Sequence, residues 1–212
     1  MRTREVPREK KKGGFPWWLL LLGFIVYHLL PKAEAPPANF EPLAGRPVGC
    51  ETKFAFVLDG SPSMTDRTYS GGWEMARNGA LQLMRYLNED DSIGIVVFQD
   101  QGHSLTNGFV SPQQGYKILQ GFSPSSILGG GTSISAGLLA AQQLNPDFIV
   151  LLSDGGHNTG PNPTPGVTPI YALTYPGDHD TCMRSLGEYY YAPDSGALQN
   201  IVSQLATTVG CQ

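Results

Sequence analysis

Five oxygen-bearing side chains lie where they could bind one hard metal ion together. Asp59, Ser61 and Ser63 alternate along a short stretch, a spacing that lets a tight loop direct all three side chains inward. Thr132 follows a run of three glycines, and Asp154 precedes two more. Ligands that are all oxygen favour Mg²⁺, Mn²⁺ or Ca²⁺ over zinc or copper. These residues therefore predict a divalent-cation site, with Mg²⁺ as the first expectation.

Strands and helices alternate along the part of the chain that carries these residues. Short apolar runs rich in β-branched or aromatic residues predict strands, and apolar residues at helical spacing predict helices. The predicted strands are 53–59, 92–98, 147–154, 168–175 and 188–192, and the predicted helices are 72–88, 111–120, 133–144, 183–187 and 195–208.

The strands are continuous apolar runs rather than alternating ones, which is typical of a parallel sheet covered on both faces. We therefore expect an α/β fold with a doubly wound, mostly parallel sheet. Ligands of such sheets bind outside the carboxyl ends of the strands, at the point where the strand order reverses. Asp59 and Asp154 both end predicted strands, so this is where the candidate site should form.

The same residues carry a family resemblance. Residues 59–63, Asp-Gly-Ser-Pro-Ser, resemble the D-x-S-x-S signature of von Willebrand factor type A domains, with a proline where the family often has glycine. Gly131-Thr132 is similar to the second-loop threonine of that family, and Ser153-Asp154-Gly155 to its third-loop aspartate. The motifs occur in the family's order over residues 53–209.

The resemblance implies a metal-ion-dependent adhesion site. Ser61 and Ser63 would bind the ion directly, Thr132 directly or through water, and Asp59 and Asp154 mainly through water. A site of this kind would let an acidic residue of a protein partner complete the coordination shell. The function that follows is a membrane-tethered binding module. The alternative is a scaffold subunit of a cell-envelope assembly in which the ion only braces the loops.

Other candidates for chemistry are weaker. Residues 178–182 group two aspartates, a histidine and a cysteine, but their spacing fits no zinc pattern, and a solvated loop is the expectation. His157 could neighbour the ion, although an exposed loop histidine is the simpler interpretation. Asp66, Arg67 and Tyr69 are expected on the rim of the metal face. We expect no enzyme, since no nucleophile and base are paired, and a net charge of −4 gives no reason to expect nucleic acid.

The N-terminus predicts export and a membrane tether. Residues 1–12 carry six Lys and Arg residues, and the eighteen residues 13–30 contain no Asp, Glu, Lys or Arg. That length is close to the shortest helix that spans a bilayer, and the basic cluster places the N-terminus in the cytoplasm. A proline-rich linker, 31–49, would then hold an extracytoplasmic domain, 50–212, away from the membrane.

A cleaved signal peptide is the alternative for the same segment. Ala33-Glu34-Ala35 fits the small-residue cleavage pattern, although Pro36 directly after it does not. The domain would then be secreted or periplasmic. Both interpretations export the domain, and neither fixes its oligomeric state.

The chain has three cysteines. Cys50 precedes the first strand and Cys211 follows the last helix, and the two ends of a doubly wound domain are expected to lie close together. An exported domain permits a Cys50–Cys211 disulfide, an arrangement that some type A domains resemble. Cys182 would remain, either buried as a small apolar residue or paired with another chain.

Overall fold

Six strands form one sheet in the order β3-β2-β1-β4-β5-β6. The computed structural model describes residues 51–65, 72–127, 129–175 and 181–208, together with positions 40, 43 and 49. All neighbouring strands are parallel except β2 and β3, which pair antiparallel. The strands are β1 (Lys53–Asp59), β2 (Ser92–Phe98), β3 (Gly102–Ser104), β4 (Phe148–Ser153), β5 (Ile170–Thr174) and β6 (Glu188–Tyr191).

Helices cover both faces of the sheet, so the expected doubly wound α/β fold is confirmed. Side chains of α2, α3 and α6 pack with one face in one apolar cluster, and those of α4 and α5 pack with the other face in a second. The helices are α1 (Pro62–Thr65), α2 (Gly72–Tyr86), α3 (Pro112–Gly121), α4 (Ile134–Gln142), α5 (Thr181–Arg184) and α6 (Ser195–Thr208), with a 3₁₀ turn at Pro124–Ser126.

Local sequence explains where the helices near the candidate site begin. Ser111 caps α3 by accepting a hydrogen bond from the Gln114 backbone N–H at 3.3 Å, with proline in the first turn. Ser133 caps α4 in the same way, accepting from the Ala136 backbone N–H at 3.3 Å. Such caps satisfy N–H groups that have no partner within the helix. Thr132 is therefore held directly before a defined helix start.

The order of strands puts the candidate site at the reversal point. From β1 the chain goes first to β2 on one side, and later to β4 on the other side of β1. β1 thus pairs with β2 over its whole length and with β4 from Phe54 to Leu58. Asp59 ends β1, and Asp154 directly follows β4, so both carboxylates lie at the crevice between the two halves of the sheet.

Several short elements differ from the sequence expectation, and the helical turn Pro62–Thr65 and the 3₁₀ turn Pro124–Ser126 were not predicted. The short helix predicted at 183–187 lies at Thr181–Arg184, and the antiparallel strand Gly102–Ser104 was not predicted. The predicted helix at 72–88 ends at Tyr86, and the last helix has the predicted bounds. The missed strand has three residues, none of them strongly apolar, so it leaves no periodic signal in the sequence.

Several expectations fall on residues outside those described. These are the basic tail 1–12, the apolar segment 13–30, most of the linker, and the Cys50–Cys211 pair. Among the described helices none is long and apolar enough to cross a bilayer. Two linker residues contact the domain: the Phe40 and Tyr116 rings meet edge to face at 5.5 Å, and the Leu43 N–H donates to the Arg85 carbonyl at 2.6 Å. Phe40 and Leu43 therefore pack against the domain.

Cys182 is a free, half-buried cysteine that packs against the apolar cluster beneath α4. This position agrees with the expectation of a small apolar residue, although its burial is only partial.

Adjacent leucines of α4 allow a direct test of this packing. Leu138 is 3% exposed and Leu139 is 59% exposed. Leu138→Ala should lower the free energy of unfolding by about 2–5 kcal/mol, because it removes buried methyl groups and leaves a cavity. Leu139→Ala should change it by less than about 0.5 kcal/mol. Urea unfolding of both variants measures the difference, and equal effects would contradict the placement of α4.

Candidate functional site

Asp59 is the most buried charged group at this edge of the sheet. Its side chain is 0% exposed, and both of its carboxylate oxygens accept hydrogen bonds. Oδ1 accepts from the Ser61 backbone N–H at 2.9 Å, and Oδ2 accepts from the Ser153 hydroxyl at 2.6 Å. The first hydrogen bond shapes the loop, because an aspartate side chain that accepts from the backbone N–H two residues later forms a tight turn. The second bond ties β1 to the end of β4.

Ser61 and Ser63 bring their hydroxyls together in that turn. Their Oγ atoms are 3.1 Å apart, with Ser61 fully buried and Ser63 half-buried. The Ser61 carbonyl accepts from the backbone N–H groups of Met64 and Thr65, which makes α1 a single helical turn. Pro62 occupies its first position, where proline's fixed φ suits a helix start. The proline thus stiffens the loop without removing an oxygen.

Asp154 supplies a second carboxylate beside the first. It is half-buried, and its Oδ1 accepts from the Gly156 N–H at 2.9 Å. Gly155 has a φ of +86°, a conformation that favours glycine, and its N–H donates to the Ser153 hydroxyl at 3.0 Å. The chain therefore turns sharply at the end of β4 and leaves Asp154 at the crevice.

The two carboxylates repel each other. Burial, as the larger cause, and the negative charge of Asp154 together raise the pKa of Asp59 from 3.8 to about 7. The hydrogen bonds from Ser153 and Ser61 act in the opposite direction. A buried carboxylate that faces a like charge favours either a proton or a cation nearby. The site thus has the electrostatics of a cation-binding position.

The loop after Asp154 holds Thr132 by its backbone. Thr132 is 3% exposed, and its N–H donates to the Asn158 side-chain oxygen at 2.8 Å. Its carbonyl accepts from the N–H groups of Asn158 and Thr159, at 3.0 and 3.2 Å. The third loop thereby fixes the second-loop residue that the sequence analysis singled out.

Gln99, directly after β2, joins the first loop to the second. Its side-chain Nε2 donates to the Gly60 carbonyl at 2.8 Å, and its backbone carbonyl accepts from the Ser133 N–H at 2.6 Å. Gln99 is 6% exposed, so these bonds lie away from water. The sequence did not predict Gln99, Ser153 and Asn158 as positioning residues. The only signal of Gln99 and Ser153 is a polar residue immediately after, or at the end of, a buried strand, and Asn158 lies in the loop beyond β4 without that signal.

His157 is not the exposed loop histidine that the sequence suggested. It is half-buried, and its Nδ1 accepts from the Ile134 N–H at 3.3 Å. A neutral ring that accepts at Nδ1 carries its proton on Nε2. His157 thus acts as a brace at the start of α4, because the loop that carries it folds back over that helix.

The remaining weak candidates gain no support. Asp66, Arg67, Tyr69 and residues 178–180 lie outside the described part of the chain. Within the described part, no three His, Cys, Asp or Glu side chains group so that they could hold a metal ion, and the candidate site has only two such side chains, Asp59 and Asp154, with hydroxyls beside them. The five predicted site residues all lie at the carboxyl edge of the sheet, in three loops tied to one another.

Family comparison agrees with this geometry. A model of the von Willebrand factor type A domain matches residues 54–157, a range that includes all three loops. The chain contains a von Willebrand factor type A domain. No curated protein sequence matches the chain.

Solved structures support the fold of this type A domain. BatB from Bacteroides thetaiotaomicron has 17% identity and a TM-score of 0.59, over 72% of this chain and 96% of that one. A von Willebrand factor type A protein from Catenulispora acidiphila has 14% identity and a TM-score of 0.60, over 74% and 42%. Proximal thread matrix protein 1 from the mussel byssus, with a zinc-occupied MIDAS motif, has 15% identity and a TM-score of 0.56, over 79% and 48%. The match spans less than half of the last two proteins.

The pKa of Asp59 predicts a pH dependence of stability in the absence of metal. Between about pH 4 and pH 7 the folded chain keeps a proton that the unfolded chain loses. The contribution of Asp59 to stability is therefore fully present below about pH 4 and lost as pH rises through about 7. Relative to Asp59→Asn, the wild-type free energy of unfolding should fall by up to about 1.4 kcal/mol per pH unit. Urea unfolding in EDTA at several pH values measures this, and parallel curves for the two proteins would refute it.

Alanine substitutions at two neighbouring glycines, Gly129 and Gly130, test the contacts of Gln99. A Cβ on Gly129 would lie 2.4 Å from the Gln99 side-chain oxygen and 2.6 Å from Asp100 Oδ1, whereas one on Gly130 meets nothing within 4 Å. Gly129→Ala should lower the free energy of unfolding by about 1–2 kcal/mol, because the buried Gln99 must shift. Gly130→Ala should be close to neutral. Thermal and urea unfolding compare them, and a neutral Gly129→Ala would show that Gln99 is not held as described.

Proposed function

We propose that this domain is a metal-dependent protein-binding module whose cation coordinates an acidic group of a partner. The observation that carries the proposal is the buried Asp59, which faces the like charge of Asp154 beside the paired hydroxyls of Ser61 and Ser63. A cation would relieve that repulsion, and the donor set is all oxygen. The residues present therefore fit a hard divalent ion.

The donor set favours Mg²⁺, Mn²⁺ or Ca²⁺, because all of its side-chain ligands are oxygens. Ser61 Oγ and Ser63 Oγ are 3.1 Å apart, within hydrogen-bond distance of each other. Ser133 and Ser135 show the same 3.1 Å separation, so the proposal depends on the two carboxylates beside the first serine pair and not on the spacing of the hydroxyls.

The proposed roles follow the family resemblance. Ser61 and Ser63 bind the ion directly, Thr132 binds directly or through water, and Asp59 and Asp154 act mainly through water. When bound, the ion supplies a coordination position for a carboxylate from outside the chain. The hydrogen bonds of Asp59 to the first loop and to β4 keep the ligand oxygens in place. The zinc-occupied MIDAS motif of the mussel protein supports the capacity of this fold to hold a divalent ion.

The proposed setting is the outer side of a membrane. The basic residues 1–12 and the apolar segment 13–30 support a single-pass anchor with its N-terminus in the cytoplasm, and a cleaved signal peptide is the alternative. Export would also permit the Cys50–Cys211 disulfide. With binding as its function, the domain needs no catalytic group, and it is proposed not to be an enzyme.

Calorimetric titration of the 212-residue chain with Mg²⁺ tests the site. The wild type should bind one ion, and Ser63→Ala should weaken binding tenfold or more, because it removes a direct ligand. Ser135→Ala is the matched control, since Ser135 belongs to the other serine pair and should leave the affinity unchanged. Parallel titrations with Mn²⁺, Ca²⁺ and Zn²⁺ rank the ions. No heat of binding with any of them would exclude the metal site.

Capture of partners from native membranes separates the binding module from a scaffold. A partner that is retained in Mg²⁺, released by EDTA and lost with Ser63→Ala supports coordination of a partner's acid. Retention that is unchanged by EDTA would instead support the scaffold alternative, in which the ion only braces loops.

A further inference from the structure

A cleft of about 610 Å³ opens directly beside the candidate metal loop. Pro62 and Met64, the two neighbours of Ser63, both line it, as does Gln99, which holds the first loop. Further lining comes from Phe122, directly after α3, and from the 3₁₀ turn that follows. This volume lies within the range of pockets that hold small molecules or several residues of a peptide.

One side of the cleft is apolar and aromatic. Trp73 and Phe122 meet edge to face there, with ring centroids 5.9 Å apart, and Met64 lies in the same lining. Trp73 and Met64 are 5% and 1% exposed, so they belong to the core and hold the half-buried Phe122, whose ring supplies the accessible aromatic surface. A rigid aromatic wall next to open space suits a flat or branched apolar side chain.

The other side of the cleft carries a charged pair. Arg77 pairs with Glu74 through its Nη2, and Glu74 is half exposed at 54%. The Arg77 Nε is buried and has no acceptor among the described residues. A buried donor without an acceptor is costly, and a carbonyl or carboxylate oxygen from a ligand would satisfy it. An extended peptide supplies both features, since each residue carries one side chain and one carbonyl.

We propose that this cleft binds the apolar side chain next to the metal-coordinating acid in an extended segment of the partner, with a carbonyl of that segment accepting from Arg77. The proposal rests on the metal-dependent function above and names the class of partner it takes. Specificity then comes from the cleft, because any exposed acid could satisfy the ion, whereas only an acid with an apolar neighbour fills both positions.

A peptide library tests the proposal without a known partner. The 212-residue chain is immobilised in Mg²⁺ and offered heptapeptides with a fixed central Asp and random residues elsewhere. Retained peptides should be enriched about tenfold in Leu, Phe, Tyr or Trp at one position adjacent to the Asp, the gain expected from burying such a side chain. Retention should be lost in EDTA and with Ser63→Ala.

Variants then locate the apolar position. Ser125 is an exposed residue of the cleft wall, and Ser125→Trp fills the space without touching the core. It should abolish the apolar preference and leave the Mg²⁺ affinity unchanged. Ser203 lies on the exposed surface of α6 and outside the lining, so Ser203→Trp should preserve both the apolar preference and the Mg²⁺ affinity. Arg77→Met should lower retention of all peptides severalfold and preserve the apolar preference, because it removes the Nε donor and the ion pair with Glu74 but leaves the apolar lining in place.

The outcomes separate the two proposals. Retention that needs Mg²⁺ and Asp but shows no apolar preference, or a preference that survives Ser125→Trp, overturns the cleft proposal and leaves the metal-dependent function standing. Retention that survives EDTA yet disappears in Ser125→Trp supports the cleft as a peptide site and overturns the metal-dependent function. No retention under any condition overturns both.

Discussion

The arrangement of the site depends on one buried carboxylate at the end of the central strand. Asp59 is fully buried, yet its charge is opposed by burial and by Asp154. It is held there because Ser61 and Ser153 donate to its two oxygens, and these residues belong to the first loop and to β4. The group whose charge would attract a cation in the proposed site therefore also fixes the geometry around it. Removing the charge of Asp59 would change the repulsion from Asp154, whereas removing its hydrogen bonds to Ser61 and Ser153 would release the first loop.

The other two loops are fixed by residues that bind no ion in the proposed site. Gln99 bonds the first loop with its side chain and the second loop with its backbone, and Asn158 holds both backbone groups of Thr132. Each loop is thus bonded to at least one other. Preorganisation of this kind lowers the entropy that binding must overcome, because the oxygens are ordered before a ligand arrives. Hydroxyl ligands on a rigid frame suit an ion that keeps several waters and one position for an outside acid.

Much of this could be predicted from sequence, for reasons that particular residues show. β1, β2 and the last helix have the predicted bounds, because buried parallel strands are continuous apolar runs and the helix has a regular apolar spacing. The five site residues were predicted because Asp59, Ser61, Ser63 and Asp154 lie at or after strand ends, Thr132 precedes a helix after a glycine run, and the three motifs occur in a known order. Gln99 and Ser153 were missed, since a polar residue at a strand end has the same appearance whether it faces water or ties two loops. The short strand at 102–104 depends on pairing with β2, which no local pattern records.

The sequence of the first loop links the two proposed binding positions. Pro62 and Met64 alternate with Ser61 and Ser63 along the first loop. The turn that brings the two serine hydroxyls together therefore also places Pro62 and Met64 in the lining of the cleft. Proline at the first position of α1 fixes the backbone between the two serines, which restricts how either set can move alone. In the proposed complex, a partner segment with its acid on the ion would be brought against the aromatic part of the cleft in one orientation. Affinity from the metal and selectivity from the cleft would then come from residues 61–64, because this stretch would contribute ligands to one and lining to the other.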